Sequence, residues 1–245
     1  MGFVRCNKEY CIYVQNVGVE WVIMVIYVDD LTIMSKSMRL INKIKAELSM
    51  RFKMKDLGNI SYILKMEIIR NRVDKTMSIS QHRYISELLK KYNIENSSVV
   101  ATPQVTGLEL EPETKMTAEQ IAAQKFDYRG YTTRHCKCSK GIEKYLSCYN
   151  RSHWEAARRV LKYLKGTSTY GLLLDGKSRE VMYEVYTDAS FACQSKERKS
   201  ITGYVIRMAG CSISWCSSKQ GSVSLSAAEA ELIALSEGTK EREWL

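Results

Sequence analysis

The chain has 245 residues, of which 45% are apolar, enough to bury the core of one large or two small domains. This composition argues against disordered, collagen-like and coiled-coil proteins, and a formal net charge of +10 favours a polyanion among the partners. The eight cysteines are expected to be reduced, because the chain is long and its opening residues MGFVRCNKEY contain no apolar leader. We therefore expect an intracellular protein, cytoplasmic or nuclear.

The longest apolar run spans residues 21–28, far short of the ~20 residues that a membrane-spanning helix needs. We expect no membrane partner. The excess of basic residues is local, because the net charge is +6 in residues 1–100, −2 in 101–130, +7 in 131–180 and −1 in 181–245. Contacts with a polyanion are therefore expected in the first and third of these segments.

The first hundred residues predict several strands and two helices, without a regular βαβ alternation. Residues 10–14 and 22–28 are rich in β-branched and aromatic side chains and predict strands, and residues 31–34 resume the apolar run after Asp29 and Asp30. Helical spacing follows from Ser37 to Phe52 and again over 81–92, with strands expected at 60–69 and 77–80. The texture is α+β, and the two aspartates mark the tip of a hairpin.

The rest of the chain divides into a connecting segment and a second region with strands. Both prolines fall in residues 101–130, which predicts a linker there. Residues 153–165 predict a helix with one apolar stripe and a basic arc that faces solvent or phosphate. Strands are expected at 181–187, 201–208 and 212–217, before a helix that begins near Ser226.

Asp29 and Asp30 are adjacent carboxylates at a strand tip, where like charges raise each other's pKa unless a cation neutralises them. Hard divalent cations such as Mg²⁺ take carboxylate oxygens and share their other positions with water and phosphate, as nucleotidyl transfer requires. The alternative is a solvated turn, because aspartate-rich turns are common.

The sequence around this pair, WVIMVIYVDDLTIMSKS, resembles the catalytic hairpin of reverse transcriptases of Ty1/copia-type retrotransposons. The segments GFVRCNKEYCIYVQ, FKMKDLGNISYILKMEI and SISQHRYISELLKKYNI resemble its neighbours in the same order. The resemblance implies that Asp29 and Asp30 bind catalytic metal, and that Tyr27 and Val28 contact the primer end. It also implies a third aspartate upstream of this chain. Lys65 stands where the family has a glycine.

Glu231 is singled out by helical spacing alone. It is expected within the apolar arc formed by Leu225, Ala228, Leu232 and Leu235, with Glu237 and Glu241 on the far side. A carboxylate in an apolar stripe needs a partner, and Asp188 ends a strand that this helix would cover. The alternative is a glutamate that reaches solvent beside a basic neighbour such as Arg242.

The motifs YTDAS and EAELIAL resemble the first strand and helix of a copia-type ribonuclease H domain. This resemblance implies that Asp188 and Glu231, with two further acids expected after residue 245, hold two Mg²⁺ ions that cut the RNA strand of a hybrid. The fold implied is a partial reverse transcriptase palm and thumb, followed by a partial ribonuclease H-like mixed sheet with a helix.

Two weaker signals lie in the connecting segment. Thiols and imidazoles at His135, Cys136, Cys138, Cys148 and His153 are of the types that bind zinc, but their spacings fit no zinc finger or knuckle, so zinc is not expected. The resemblance instead implies that this segment has lost part of the family's connection. Residues 130–150 are therefore expected to pack poorly.

Together these features predict a fragment of a retrotransposon Pol polyprotein, with reverse transcriptase in residues 1–100, a degenerate connection in 101–180 and half of a ribonuclease H domain in 181–245. Its partners would be template-primer or RNA/DNA hybrid and the remainder of Pol, with Mg²⁺ or Mn²⁺ as cofactor. With two acids at each centre, we expect the chain alone to be catalytically incomplete. The alternatives are a non-catalytic nucleic-acid-binding relic and a pseudogene product without function.

Overall fold

The computed structural model describes residues 1–105, 110, 117, 119–120, 128, 148–177, 181–192 and 198–244. The chain forms two compact units. One comprises Met1–Leu64, Ile68–Ile79 and Leu172–Leu245, and the other comprises Lys65–Glu67 and Ser80–Gly171. The overall class is α+β, as the sequence predicts, with three sheets and four helices among the described residues. None of those helices is long and apolar enough to span a membrane.

The first sheet is an antiparallel meander whose strands follow chain order: β1 (Val4–Arg5), β2 (Ile12–Val17), β3 (Glu20–Tyr27) and β4 (Asp30–Ser35). Helix α1 (Met38–Arg51) packs on one face. Alternate β3 residues Val22 and Met24 are buried against Ile44 and Leu48 of the helix. The predicted helical stripe was wrong at Phe52, which ends the helix with an exposed side chain.

The second sheet has the order β5 (Tyr62–Ile63), β6 (Met66–Asn71), β7 (Thr76–Ser80) and β8 (Gly171–Asp175). The single strand predicted over residues 60–69 was wrong, because a tight turn at Leu64 and Lys65 divides it in two. Both residues have a positive φ, of +51° and +64°, which an L-residue adopts only at a steric cost. The turn contains no glycine or asparagine that would have marked it in the sequence.

Two helices form the core of the second unit, α2 (His82–Lys91) and α3 (Arg151–Gly166). The apolar stripe predicted for α2 is confirmed, since Ile85, Leu88 and Leu89 are all buried. Helix α3 begins at Asn150, whose side-chain oxygen accepts hydrogen bonds from the amides of residues 152 and 153. The two helices pack together around a cluster that also contains Ile94, Tyr128, Tyr149, Ala157, Val160 and Leu161.

The third sheet contains β9 (Tyr183–Ser190), β10 (Ile201–Met208) and β11 (Cys211–Lys219) in the order β11-β10-β9. We predicted part of a mixed sheet here, but the described strands pair antiparallel throughout. Helix α4 (Ala227–Trp244) follows β11. It starts as predicted at Ser226, whose hydroxyl accepts a hydrogen bond from the Glu229 amide at 3.2 Å.

Helix α4 lies against β9 and β10 through its smallest residues. Ala230 and Ala234 are fully buried, and one turn further on Gly238 approaches β9 closely. A Cβ atom at Gly238 would lie 2.8 Å from Cγ2 of Thr187 and 3.2 Å from Cγ1 of Val185. Because Ala230, Ala234 and Gly238 are spaced four residues apart, they lie in one row on the helix face that contacts the sheet. Their small size permits a short distance between helix and strand.

The predicted apolar arc of this helix was wrong. Leu225, Leu232 and Leu235 are all exposed, and Leu232 keeps 65% of its accessible surface. Helical spacing correctly predicted a helix, but the assumption that the large leucines are buried gave the wrong buried face. The buried face carries the alanines and the glycine instead, because only small side chains fit at this distance from β9.

Gly238→Ala should destabilise the protein by about 1–2 kcal/mol, even though alanine favours a helix over glycine, because the new methyl group overlaps two β-branched side chains. Urea unfolding would measure the loss. Ser236→Ala is the matched control, since residue 236 is an exposed position of the same helix and should be neutral or slightly stabilising. A Gly238→Ala variant as stable as the control would contradict the close contact.

Candidate functional site

The tip of the β3–β4 hairpin is a loop of two residues. Tyr27 pairs with Asp30 across the strands, so Val28 and Asp29 occupy the two turn positions. Val28 has a φ of +52°, while Asp29 is not in the positive-φ region, which corresponds to a type II′ turn. Glycine is favoured at the first turn position, so the β-branched Val28 holds a strained conformation there.

Both aspartates of the hairpin are exposed at this tip. Neither Asp29 nor Asp30 has a hydrogen bond or ion pair from its carboxylate within the part of the chain that the structure describes. Tyr27 and Val28 are also exposed, with 53% and 82% of their surface accessible. The tip therefore presents two adjacent unpaired carboxylates beside two accessible side chains, and the sheet below holds them in register.

These two carboxylates are the ligands that the hairpin can offer to a hard cation. No group of three or more acidic, histidine or cysteine side chains that could hold a metal ion occurs among the described residues. A cation at the tip would therefore take its remaining ligands from water or from a phosphate, as Mg²⁺ does at phosphoryl-transfer sites.

Lys65 and the nearby Glu67 belong to the second unit, and each makes one contact with the start of α2. The Lys65 ammonium lies 4.6 Å from the centroid of the Tyr84 ring, within the range of a cation–π interaction. Glu67 accepts a hydrogen bond from the Arg83 amide at 3.1 Å, so its carboxylate caps the first turn of α2. A lysine thus occupies a left-handed position without disrupting the turn.

Asp188 lies on β9, is exposed and pairs with Gly203 of β10. Strand residues alternate between faces, and Val185 and Thr187 face helix α4, so Asp188 projects from the face that α4 leaves uncovered. The next row on this uncovered face consists of the exposed side chains Tyr186, Val205 and Trp215.

Glu231 follows the buried Ala230 and is itself exposed, so the prediction that it lies in a buried apolar arc was wrong. It occupies the shoulder of the packed stripe, about 100° around the helix from Ala230. The structure therefore does not place Asp188 and Glu231 on one side of the sheet. Nevertheless, each carboxylate is accessible to a ligand from solvent.

The acids that do face the sheet are Glu237 and Glu241, which we had expected on the far side of the helix. Both are half-buried, and Glu241 accepts a hydrogen bond from the Ser214 hydroxyl at 3.1 Å. Burial, and then the negative charge of Glu241, raise the pKa of the Tyr204 phenol. Sequence spacing missed this group because it placed the apolar face of the helix incorrectly.

The family comparison matches residues 1–106 to the model of reverse transcriptase, RNA-dependent DNA polymerase. The match contains the hairpin of Asp29 and Asp30. Residues 1–106 are therefore similar to reverse transcriptases. This family generally uses divalent metal ions and binds nucleic acid. The predicted relationship to a retrotransposon Pol polyprotein is also confirmed, by curated relatives that match the whole chain.

Three of these relatives are retrovirus-related Pol polyproteins. The protein from transposon TNT 1-94 of Nicotiana tabacum is 34% identical over 99% of this chain and 19% of its own length. Those from transposons RE2 and RE1 of Arabidopsis thaliana are 30% and 29% identical over the whole chain and 17% of their own lengths. The chain thus spans under a fifth of the length of these relatives. No solved structure matches it.

Beyond the reverse transcriptase match, helix α3 does not present the free basic arc that its sequence predicts. Arg158, Arg159 and Lys165 are all half-buried. The Lys165 ammonium donates to the Ser97 carbonyl at 2.7 Å, and Arg159 donates to the Thr102 hydroxyl at 3.0 Å. These side chains attach residues 97–102 to the helix, so they are not available as a continuous surface for phosphate.

The possible zinc ligands His135, Cys136 and Cys138 lie outside the described residues. Of the other two, Cys148 is a half-buried free thiol and His153 is 1% exposed. His153 lies at the start of α3, with its Nδ1 atom 2.7 Å from the Asn150 side-chain oxygen. Its imidazole thus takes part in the helix cap.

Val28→Gly should stabilise the β3–β4 hairpin relative to Val28→Ala by roughly 1 kcal/mol, because only glycine adopts the positive φ without steric cost. The alanine variant is the matched control, since both substitutions remove the same isopropyl group from an exposed position. Urea unfolding monitored by circular dichroism measures the difference. Equal stability of the two variants would show that Val28 is not strained.

Proposed function

We propose that the hairpin of this chain is the metal-binding and primer-end element of an RNA-directed DNA polymerase. Asp29 and Asp30 would bind Mg²⁺ or Mn²⁺, and Tyr27 and Val28 would contact the primer terminus of a template-primer. The observation that carries the proposal is a pair of adjacent, exposed and unpaired carboxylates held at a strained two-residue turn. Strained backbone of this kind concentrates at functional sites.

The metal would neutralise charge that develops on a phosphate and orient its oxygens. The hairpin would fix where the metal lies, because β3 pairs with a neighbour on each side. With two protein ligands at this site, we propose that the chain alone binds metal weakly and does not extend a primer. A complete site would form with the remainder of the Pol polyprotein.

We propose further that residues 181–245 are the first half of a ribonuclease H-like domain, with Asp188 and Glu231 as metal ligands and an RNA/DNA hybrid as substrate. The antiparallel β9–β11 sheet followed by α4, and the accessibility of both carboxylates, support this assignment. The domain limits would be 1–100 for reverse transcriptase, 101–180 for the connection and 181–245 for this half-domain. The protein would act inside the cell.

The second candidate function is binding of nucleic acid without catalysis. It is favoured by basic residues before, on and after helix α1 that are all exposed, whereas Arg158, Arg159 and Lys165 of α3 are half-buried. The exposed residues are Lys36, Arg39, Lys43, Arg51, Lys53 and Lys55. Such a surface would bind phosphate groups with an affinity that falls as the salt concentration rises.

The metal proposal is tested by titrating the full chain with Mn²⁺ and measuring bound ion by electron paramagnetic resonance. We expect weak binding that falls at least tenfold in the double variant Asp29→Asn, Asp30→Asn, because both hard ligands lose their charge. Asp74→Asn is the matched control, as Asp74 is an exposed aspartate in the turn between β6 and β7. Equal binding by all three proteins would contradict a metal site at the hairpin.

Catalytic incompleteness is tested by primer extension and hybrid cleavage with Mg²⁺ or Mn²⁺. We expect no product from the chain alone, and primer extension that Asp29→Asn abolishes would overturn this. The same samples distinguish the second candidate function. Salt-dependent binding of hybrid that persists when Asp29→Asn and Glu231→Gln are combined would favour a non-catalytic binding protein, and no binding at low salt would exclude it.

A further inference from the structure

Gln220 is a polar side chain buried at the junction of β11 and α4. It is 1% exposed and directly follows the last residue of β11. Its side-chain Nε2 donates to the Thr202 hydroxyl at 3.1 Å and to the Ala230 carbonyl at 2.9 Å, while its Oε1 accepts from the Ser224 hydroxyl at 2.9 Å. Both amide hydrogens and the oxygen are therefore used.

These bonds connect three parts of the first unit. Thr202 lies on β10, Ser224 lies in the loop before α4, and Ala230 lies in the helix. The Gln220 backbone is itself attached to the sheet, because its amide donates to the Ser200 carbonyl at 2.9 Å. A single side chain thus fastens the start of α4 to the strands, and burial makes each of its hydrogen bonds costly to lose.

The helix needs such a fastening because its packed face carries only small side chains. The contact with β9 and β10 runs through Ala230, Ala234 and Gly238, which provide no large side chain to interlock with the sheet. Apolar contact between smooth surfaces is non-directional, so a shift of one residue, about 1.5 Å along the helix axis, meets little opposition from packing. A hydrogen bond to the Ala230 carbonyl opposes that shift directly.

The fastening lies beside both acids of the proposed ribonuclease H-like site. Ala230 immediately precedes Glu231, and Thr202 pairs with Ala189, the residue after Asp188. We infer that Gln220 is a positioning residue, which sets the axial register of α4 and thereby the position of Glu231 along the sheet. The inference rests on the proposed role of Glu231 as a metal ligand, because metal sites require ligand positions held within ~0.5 Å.

The register can be measured without any metal, by methyl-labelled nuclear magnetic resonance of the full chain. The Thr187 methyl group and Gly238 are in contact, so their nuclear Overhauser effect reports the register of the helix. We expect Gln220→Leu, which keeps the size of the side chain but removes its bonds, to abolish this effect while that between Thr187 and Tyr204 of the paired strands remains. Its retention would overturn the inference.

Ser224→Ala is the matched control, because it removes one bond to Gln220 and leaves both donations from Nε2. It should preserve the Thr187–Gly238 effect. If Gln220→Leu does not fold, Thr202→Val decides: loss of the strand-side acceptor should accelerate hydrogen exchange of the α4 amides at least tenfold, and unchanged exchange would overturn the inference.

Binding of Mn²⁺ then separates the two proposals. If Gln220 positions Glu231, Gln220→Leu should weaken the binding that depends on Glu231 at least fivefold, and Ser224→Ala should not. Binding unaffected by Glu231→Gln in the parent chain would contradict the metal role of Glu231, while the nuclear Overhauser result would still decide the role of Gln220 in the register of α4. A changed register with unchanged Glu231-dependent binding would refute the positioning of Glu231 alone.

Discussion

The pairing of β3 with β4 across a loop of two residues is the constraint on which the hairpin of Asp29 and Asp30 depends. Because Tyr27 pairs directly with Asp30, the turn has no spare residue to relax, and Val28 must take a positive φ. The same pairing places two carboxylates side by side at the tip. Burial of Val22 and Met24 against α1 supplies the stabilisation that maintains the strained turn.

The C-terminal sheet is held together differently. Helix α4 approaches β9 and β10 closely because its inward residues are small, and the polar group of Gln220 lies at one end of this contact. Apolar burial holds α4 against the sheet, and the hydrogen bonds of Gln220 fix its position along the sheet. The leucines of this helix remain exposed, together with the row of Tyr186, Val205 and Trp215 on the opposite side of the sheet.

Sequence reasoning predicted what depends on local signals. The hairpin at Asp29 was predicted from two acidic residues between two apolar, β-branched runs, and the helix that begins near Ser226 was predicted from helical spacing. The buried face of α4 and the partners of Lys165 were not predicted, because they depend on the distance to another element. The turn at Lys65 was missed because a non-glycine residue occupies a glycine-type conformation.

Strand β9 stands at the end of its sheet, with β10 on one side. Along its other side, the described residues supply no ladder partner for its backbone amide and carbonyl groups. Such an edge can accept an additional strand through these backbone groups. The sheet that displays Asp188 is therefore extendable, and a strand added at this edge would run directly alongside that carboxylate.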